Sequence, residues 1–264
     1  MKTSFSKIIS GTMSWGKADK QFNSKEIANL IHACVENNIS TFDLADIYGD
    51  YTTEADFGNG YALSKINRDK LQLISKCGIQ NISKIRNNSV KHYDYSKKYI
   101  LESVENSLKN LKTDYLDLLL LHRPSPLLQV DEVTEAISQL QKDGKILDFG
   151  LSNFTPSQTN LLSQNLEISY NQIQFSATQF EPMTDGTLDY MQLNKITPMA
   201  WNPLGTVFRE DTNQTRRLKK LLATMVDKYH VGADMILLAW ILKHPAGIIP
   251  VAGTANMGRI QNMH

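Results

Sequence analysis

Hydrophobic and polar positions along this chain follow two alternating rhythms. Short, nearly continuous apolar runs recur as KIISGTM (7–13), STFDLA (40–45), LQLISK (71–76), LDLLLLH (116–122), ILDFGLS (146–152), NQIQFS (171–176), TPMAWN (197–202) and GIIPVAG (247–253). Runs of this length between turn-forming residues read as strands buried on both faces. Between them the apolar residues return at helical spacing. Ser24 caps a stripe of Ile27, Leu30, Ile31 and Cys34; Ile100, Val104, Leu108 and Leu111 form a second; Val133, Ala136, Ile137 and Leu140 form a third, stopped by Gly144. Thr155-Pro156 with Gln158 combines a cap, a first-turn proline and a capping-box partner. Leu218, Leu221, Leu222 and Met225 mark another helix, and 236–242 one more after Gly232.

Strands alternating with helices mean βαβ units and a parallel sheet. Eight such strands in a chain of 264 residues match a (β/α)₈ TIM barrel, here as a single domain over 1–264. An open doubly wound sheet is disfavoured because no strand runs into G-x-G-x-x-G; the glycines of GNGYAL have other spacing and follow no strand.

Composition narrows the setting. Lys+Arg 28 against Asp+Glu 27 gives a net charge of +1, without a basic stripe for nucleic acid. No apolar run is long enough for a membrane span, and the first residues lack a signal-peptide core. The cysteines, Cys34 and Cys77, read as free thiols of a reducing compartment. The expected location is the cytoplasm.

In such a barrel the chemistry sits at the carboxyl ends of the strands. The second apolar run ends in Asp43, with Tyr48 in the loop beyond; the third ends in Lys76 and the fourth in His122. Each alone is an ordinary cap, surface charge or packed aromatic. Together they aim a carboxylate, an ammonium, an imidazole and a phenol at one mouth. A free tyrosine has a pKa near ~10. A nearby lysine favours the phenolate and is expected to draw the Tyr48 pKa towards neutrality, with Asp43 keeping that lysine charged. The set suits proton delivery to a carbonyl, and electrons must then come from a bound hydride donor. Metal chemistry finds no H-x-H or H-E-x-x-H, and acyl transfer finds no G-x-S-x-G. Cys77 lies beside Lys76, but strand alternation turns it to the opposite face, as a core thiol.

At these residues the chain closely resembles the aldo-keto reductase family. The resemblance runs through FDLADIYG, LISKCG, LLLLHRPSP, DFGLSNFTP, NQIQFS, MAWNPLG and PVAGTANMGRI, in order and at barrel spacing. It implies Tyr48 as the proton donor, tuned by Lys76 and Asp43, with His122 holding a small-molecule carbonyl substrate. It implies that Ser152, Asn153 and Gln172 hold a nicotinamide amide and that Trp201 stacks on the ring. The backbone of Asn202, Pro203, Leu204 and Gly205 then follows the pyrophosphate, and Gly11, Thr12 and Met13 line the ring from below. Thr254 and Arg259 match contacts to an adenosine 2′-phosphate, favouring NADPH over NADH. A lysine common in that phosphate loop is replaced by Gly253, for which Arg209 is a candidate substitute. A monomer is expected.

GRIQNMH begins an eighth helix and stops, so that helix is expected to be truncated, at a cost in stability. Three loops, 77–96, 123–130 and 203–214, follow strands and are long enough to shape a site; the first is a lid or a disordered segment. Trp15 and Tyr51 are expected in the substrate pocket. Two functions stay open: a reductase of aldehydes or ketones, and a nicotinamide-nucleotide-binding regulatory or sensing protein with slow chemistry.

Overall fold

The structure is a computed structural model that describes residues 4–16 and 20–263. In chain order its elements are β1 (Ile9–Gly11), α1 (Ser24–Glu36), β2 (Thr41–Asp43), α2 (Thr53–Ser64), β3 (Gln72–Cys77), β4 (Ile79–Gln80), β5 (His92–Tyr93), α3 (Lys97–Leu111), β6 (Leu116–Leu121), α4 (Val130–Lys142), β7 (Ile146–Ser152), α5 (Pro156–Ser163), β8 (Tyr170–Gln174), α6 (Thr187–Leu193), β9 (Thr197–Trp201), α7 (Asn213–Tyr229), α8 (Ala233–Leu242), β10 (Ile249–Ala252) and α9 (Met257–Gln261). Strands β1, β2, β3, β6, β7, β8, β9 and β10 close into a parallel barrel. Each of the eight apolar runs supplies one stave, as a parallel sheet covered by helices requires.

Strand alternation separates two cores. Ile9, Ile74, Leu118, Leu120, Tyr170, Met199 and Val251 fill the barrel interior. Leu73, Cys77, Leu119, Leu121, Phe149 and Leu151 face outward and pack with the helices. Lys76 is two residues on from Ile74, so it faces inward at the mouth, while Cys77 turns to the helix layer. Burial raises the Cys77 thiol well above its ordinary pKa, which makes it the inert core thiol expected.

Local details depart from the sequence reading. The cap of α1 is Asn23, whose side chain accepts from Lys25 and Glu26 N–H while Glu26 returns a bond to Asn23 N–H; Ser24 is the first helical residue. Asn and Ser cap comparably well, so pattern alone did not choose between neighbours. Thr155, Pro156 and Gln158 form the capping box as read. Leu221 is exposed, whereas Leu222 of the same stripe is buried. Helices α2 and α6 show no apolar stripe in the sequence. Loop 77–96 is ordered: β4 and β5 pair antiparallel, and a Ser83–Asn88 bridge closes the turn beyond. The closing helix α9 spans five residues and buries Ile260. No helix of the described residues is long and apolar enough to cross a membrane.

Candidate active site

The carboxyl ends of the barrel strands open into a cleft of about 1750 Å³. Register brings the key positions side by side: Gly11 pairs with Asp43, Asp43 with Ile74, Lys76 with Leu120 and Ser152 with Gln172. At the floor, Lys76 Nζ donates to Asp43 Oδ2 at 2.8 Å, to Leu44 O at 2.7 Å and to Tyr48 Oη at 3.2 Å. Lys76 and Asp43 are both buried, with relative exposures of 1% and 3%. A buried ammonium is stable only when paired and hydrogen-bonded, and this one has three oxygens around it. Burial alone would lower its pKa, but Asp43 and Tyr48 overcome that and hold it above the ordinary lysine value. Lys76 is therefore a fixed cation at neutral pH.

Tyr48 is placed by the chain beyond β2. Gly49, Asp50 and Tyr51 follow it with φ of +60°, +54° and +67°, a left-handed stretch. Such a φ is uncommon for a bulky residue. Tyr51 is held there by Asn81 N–H, which donates to its Oη at 2.9 Å, and by the Arg86 guanidinium 4.9 Å from its ring centroid. The Tyr48 pKa is raised, contrary to the sequence expectation. Desolvation is the largest cause; Lys76 pulls the other way and loses. The phenol is thus protonated at neutral pH, beside a cation that favours its conjugate base.

His122 follows β6, its ring 5.9 Å from that of Tyr48 and near perpendicular to it. Burial pushes its pKa well below the usual histidine value, and the charges of Lys76 and Arg123 push the same way. The imidazole is neutral at pH 7, and Nδ1 is buried without a hydrogen-bond partner.

The remaining sequence candidates fall mostly on one wall. Gly11, Met13, Ser152, Asn153, Gln172, Trp201, Asn202, Pro203, Leu204, Gly205, Thr254 and Arg259 all line the cleft. Thr12 does not. It is fully buried, and both its N–H and its hydroxyl go to Asp43 O, at 3.1 and 3.0 Å, so it ties β1 to β2. Trp15 and Tyr51 are not lining residues either: Trp15 packs against Phe42 and Phe57 in the outer core.

Asn153 and Asn202 directly follow Ser152 and Trp201, at φ of +64° and +53°. Asparagine tolerates that conformation better than most residues. The turn brings Asn153 Oδ1 to accept from Trp201 Nε1 at 2.8 Å, while its Nδ2 donates to Ser152 Oγ at 2.8 Å. Asn153 therefore sets the orientation of the indole. Gln172 Nε2 donates to Asp43 Oδ1 at 2.9 Å, which leaves its carbonyl oxygen to offer. Arg209 donates to Asn202 Oδ1 and Gly205 O, at 2.9 and 2.7 Å, so it clamps the 202–205 turn.

Sequence reading passed over three further groups. Asp46 accepts from Tyr99 Oη at 2.8 Å and Ser103 Oγ at 3.2 Å, and Glu54 accepts from Ser75 Oγ at 2.6 Å. Both acids are buried behind the site. Arg123 lies in the cleft beside His122. Asp46 and Arg123 are signalled only by a charge just past an apolar run, and Glu54, in the polar stretch 50–56, by nothing in the pattern.

This donor set fits a nicotinamide dinucleotide. The wall offers an oriented flat indole, amide and hydroxyl groups, the turn 202–205 clamped by Arg209, and the guanidinium of Arg259.

Comparison with known proteins agrees. The family model described as Aldo/keto reductase family matches residues 7–263. The oxidoreductase YcsN of Bacillus subtilis is 43% identical over 262 residues, covering 97% of this chain and 87% of that protein. A 6-dehydroglucose reductase of Agrobacterium fabrum is 37% identical over 265 residues, covering 98% and 88%. The solved structure of the glycerol dehydrogenase of Gluconobacter oxydans matches over 100% of this chain and 88% of that one, with a TM-score of 0.86 at 20% identity, a likeness of fold.

Proposed function

The chain belongs to the aldo/keto reductase family, whose members are NAD(P)H-dependent oxidoreductases, and on that footing we propose that it reduces aldehyde or ketone carbonyls with NADPH, using Tyr48 as the general acid. The observation that carries this reading is the 3.2 Å contact between Lys76 Nζ and Tyr48 Oη, with Asp43 completing the triad at 2.8 Å.

When bound, the nicotinamide supplies the hydride. The protein's own part is the proton and the orientation. The substrate carbonyl oxygen sits against Tyr48 Oη and the neutral imidazole of His122. As negative charge builds on that oxygen, Tyr48 gives up its proton. The phenolate left behind is stabilised by Lys76, whose charge is maintained by Asp43. A protonated resting phenol is what the reductive direction requires, so the raised Tyr48 pKa suits this role. Positive charge already in place at the moment of transfer needs no reorganisation.

Trp201, oriented by Asn153, is the platform for the nicotinamide ring, and Ser152, Asn153 and the Gln172 carbonyl surround its amide. The 202–205 turn borders the pyrophosphate. Preference for NADPH over NADH rests on Thr254 and Arg259 at the far end of the cleft, a guanidinium being well matched to a 2′-phosphate.

The A. fabrum relative acts on 6-dehydroglucose by its name, so polyhydroxylated aldehydes belong in the substrate panel. Two measurements test the proposal. Titration with NADPH and NADH, followed by tryptophan fluorescence, should show quenching by NADPH at lower concentration. Tyr48→Phe should then abolish carbonyl-dependent NADPH oxidation while keeping that quenching; full turnover in this variant removes Tyr48 from the mechanism. Absence of single-turnover NADPH oxidation with every carbonyl tried would favour a sensing protein instead.

A further inference from the structure

Arg123 is a cation in the cleft, next to His122 in the chain, to which the proton-transfer set gives no role. Its backbone is fixed from both sides by Tyr95: Arg123 N–H donates to Tyr95 Oη at 3.2 Å, and that hydroxyl donates to Arg123 O. The guanidinium carbon stands 5.4 Å from the Trp201 ring centroid. Its charge lowers the pKa of both Tyr48 and His122, which places it within electrostatic reach of both groups facing the carbonyl. Among the described residues no carboxylate pairs with it. The acids lining the same cleft are Asp43, held by Lys76 and Gln172, with Asp50 and Asp234.

A half-buried guanidinium with a fixed backbone and no carboxylate partner among the described residues is free to pair with an anion. A cation–π approach to the indole leaves the guanidinium N–H groups free, and their planar fork matches two oxygens of an oxyanion. A neutral hydroxylated substrate would leave that charge uncompensated. The dinucleotide phosphates do not answer for it, since they are assigned to the 202–205 turn and to Thr254 and Arg259, while Arg123 stands at the Tyr48–His122 end.

We propose that Arg123 is a specificity-determining residue that binds an oxyanion substituent, carboxylate or phosphate, on the carbonyl substrate. The reading rests on the reductase assignment above. Lys91, also lining the cleft, adds positive charge on the side of the β4–β5 hairpin and favours the approach of such substrates.

The test compares matched pairs: 4-carboxybenzaldehyde with benzaldehyde, and glyceraldehyde 3-phosphate with glyceraldehyde. For wild type, kcat/KM should favour the charged member of at least one pair by about tenfold or more, and the pair that shows it identifies carboxylate or phosphate. In Arg123→Gln that ratio should collapse by about tenfold or more through KM, with Arg123→Lys intermediate. A ratio near one in wild type, or a loss shared equally by both members together with weakened NADPH binding, overturns the proposal and makes Arg123 a support for Trp201. Calorimetry on the NADPH-loaded protein with 4-carboxybenzyl alcohol and benzyl alcohol gives a readout without turnover. Charge-selective binding that Arg123→Gln abolishes, in a protein that reduces none of the aldehydes, would sink the reductase reading and keep the oxyanion site.

Discussion

Gln172 Nε2 donates to Asp43 Oδ1 at 2.9 Å across a separation of 129 residues. This bond joins the wall assigned to the cofactor with the proton-transfer set, because the other oxygen of the same carboxylate accepts from Lys76. Asp43 is thereby satisfied on both sides. Gln172→Leu leaves one carboxylate oxygen buried without a partner, which costs roughly 1–3 kcal/mol. We expect a lower urea midpoint, weaker NADPH quenching and a lower kcat in the same variant. Gln172→Glu sets a like charge against Asp43, so its activity should recover as pH falls and the new carboxyl gains a proton to donate. Loss of NADPH affinity with kcat intact would mean that the bond does not transmit to Tyr48.

The balance of effects on Tyr48 gives a pH prediction. Reduction needs the phenol protonated, and its folded pKa lies above the ordinary value of about 10. His122 titrates well below its ordinary range. The kcat for reduction should therefore be flat through neutrality and fall only on the alkaline side. Lys76→Met removes the cation that lowers the Tyr48 pKa, so the alkaline fall should move higher while kcat drops about 10²- to 10⁴-fold. The same change strands Asp43 and should cost roughly 3–5 kcal/mol of stability. Asp43→Asn with Lys76→Met should recover part of that stability and none of the activity. An unchanged profile in Lys76→Met would remove the lysine from the tuning of Tyr48.

The barrel and its mouth were legible because both are written in local pattern. LDLLLLH has to be a buried strand, and the residue where its apolar run stops, His122, has to sit at the rim. The net effect on Tyr48 was not legible, since the sign depends on how far burial outweighs Lys76, and burial belongs to the assembled fold. Thr12 and Trp15 were misplaced for a related reason: proximity in sequence to a strand end does not say which way a side chain turns. Helix α6 is too short to show a period. The hairpin β4–β5 is paired over two residues per strand, with His92 and Tyr93 exposed, so no alternation announces it.

Helix α2 shows no apolar stripe because two of its buried positions are glycine and Phe57 is the one large apolar residue among the rest. A Cβ at Gly58 would fall 2.0 Å from Asn110 O, and one at Gly60 2.3 Å from the Ile27 side chain. The absent side chains let α2 lie against α3 and α1, which is the structural reason for the GNG in the sequence. At Gly58 the obstacle is backbone, which cannot swing aside. Gly58→Ala should therefore destabilise by about 1–3 kcal/mol despite the better helix propensity of alanine, read as a lower midpoint in chemical denaturation. A gain in stability would show that α2 and α3 can separate freely.

Asp46 supplies the sharpest link between this site and pH. Its carboxyl is buried, beside the buried Glu54, and its pKa is raised from 3.8 to about 7, chiefly by desolvation and next by that neighbour; Tyr99 and Ser103 only partly offset this. One of its oxygens, Oδ1, has no hydrogen-bond partner. The folded state thus holds a proton that the unfolded chain releases near pH 4. Wherever the folded state binds more protons, stability falls as pH rises. The Asp46 contribution is lost between about pH 4 and pH 7, each unit costing at most about 1.4 kcal/mol. Asp46→Asn keeps an acceptor for Tyr99 and Ser103 and has no charge to bury. Its unfolding free energy should exceed that of wild type at pH 8, converge with it towards pH 4, and fall less steeply between. The backbone N–H of Asp46 donates to Lys76 O at 3.1 Å, a bond that the substitution leaves in place, so the strand end that carries Lys76 should stay anchored. Parallel stability curves for the two proteins from pH 4 to pH 8 would show that Asp46 is already ionised in the fold and that its burial is compensated.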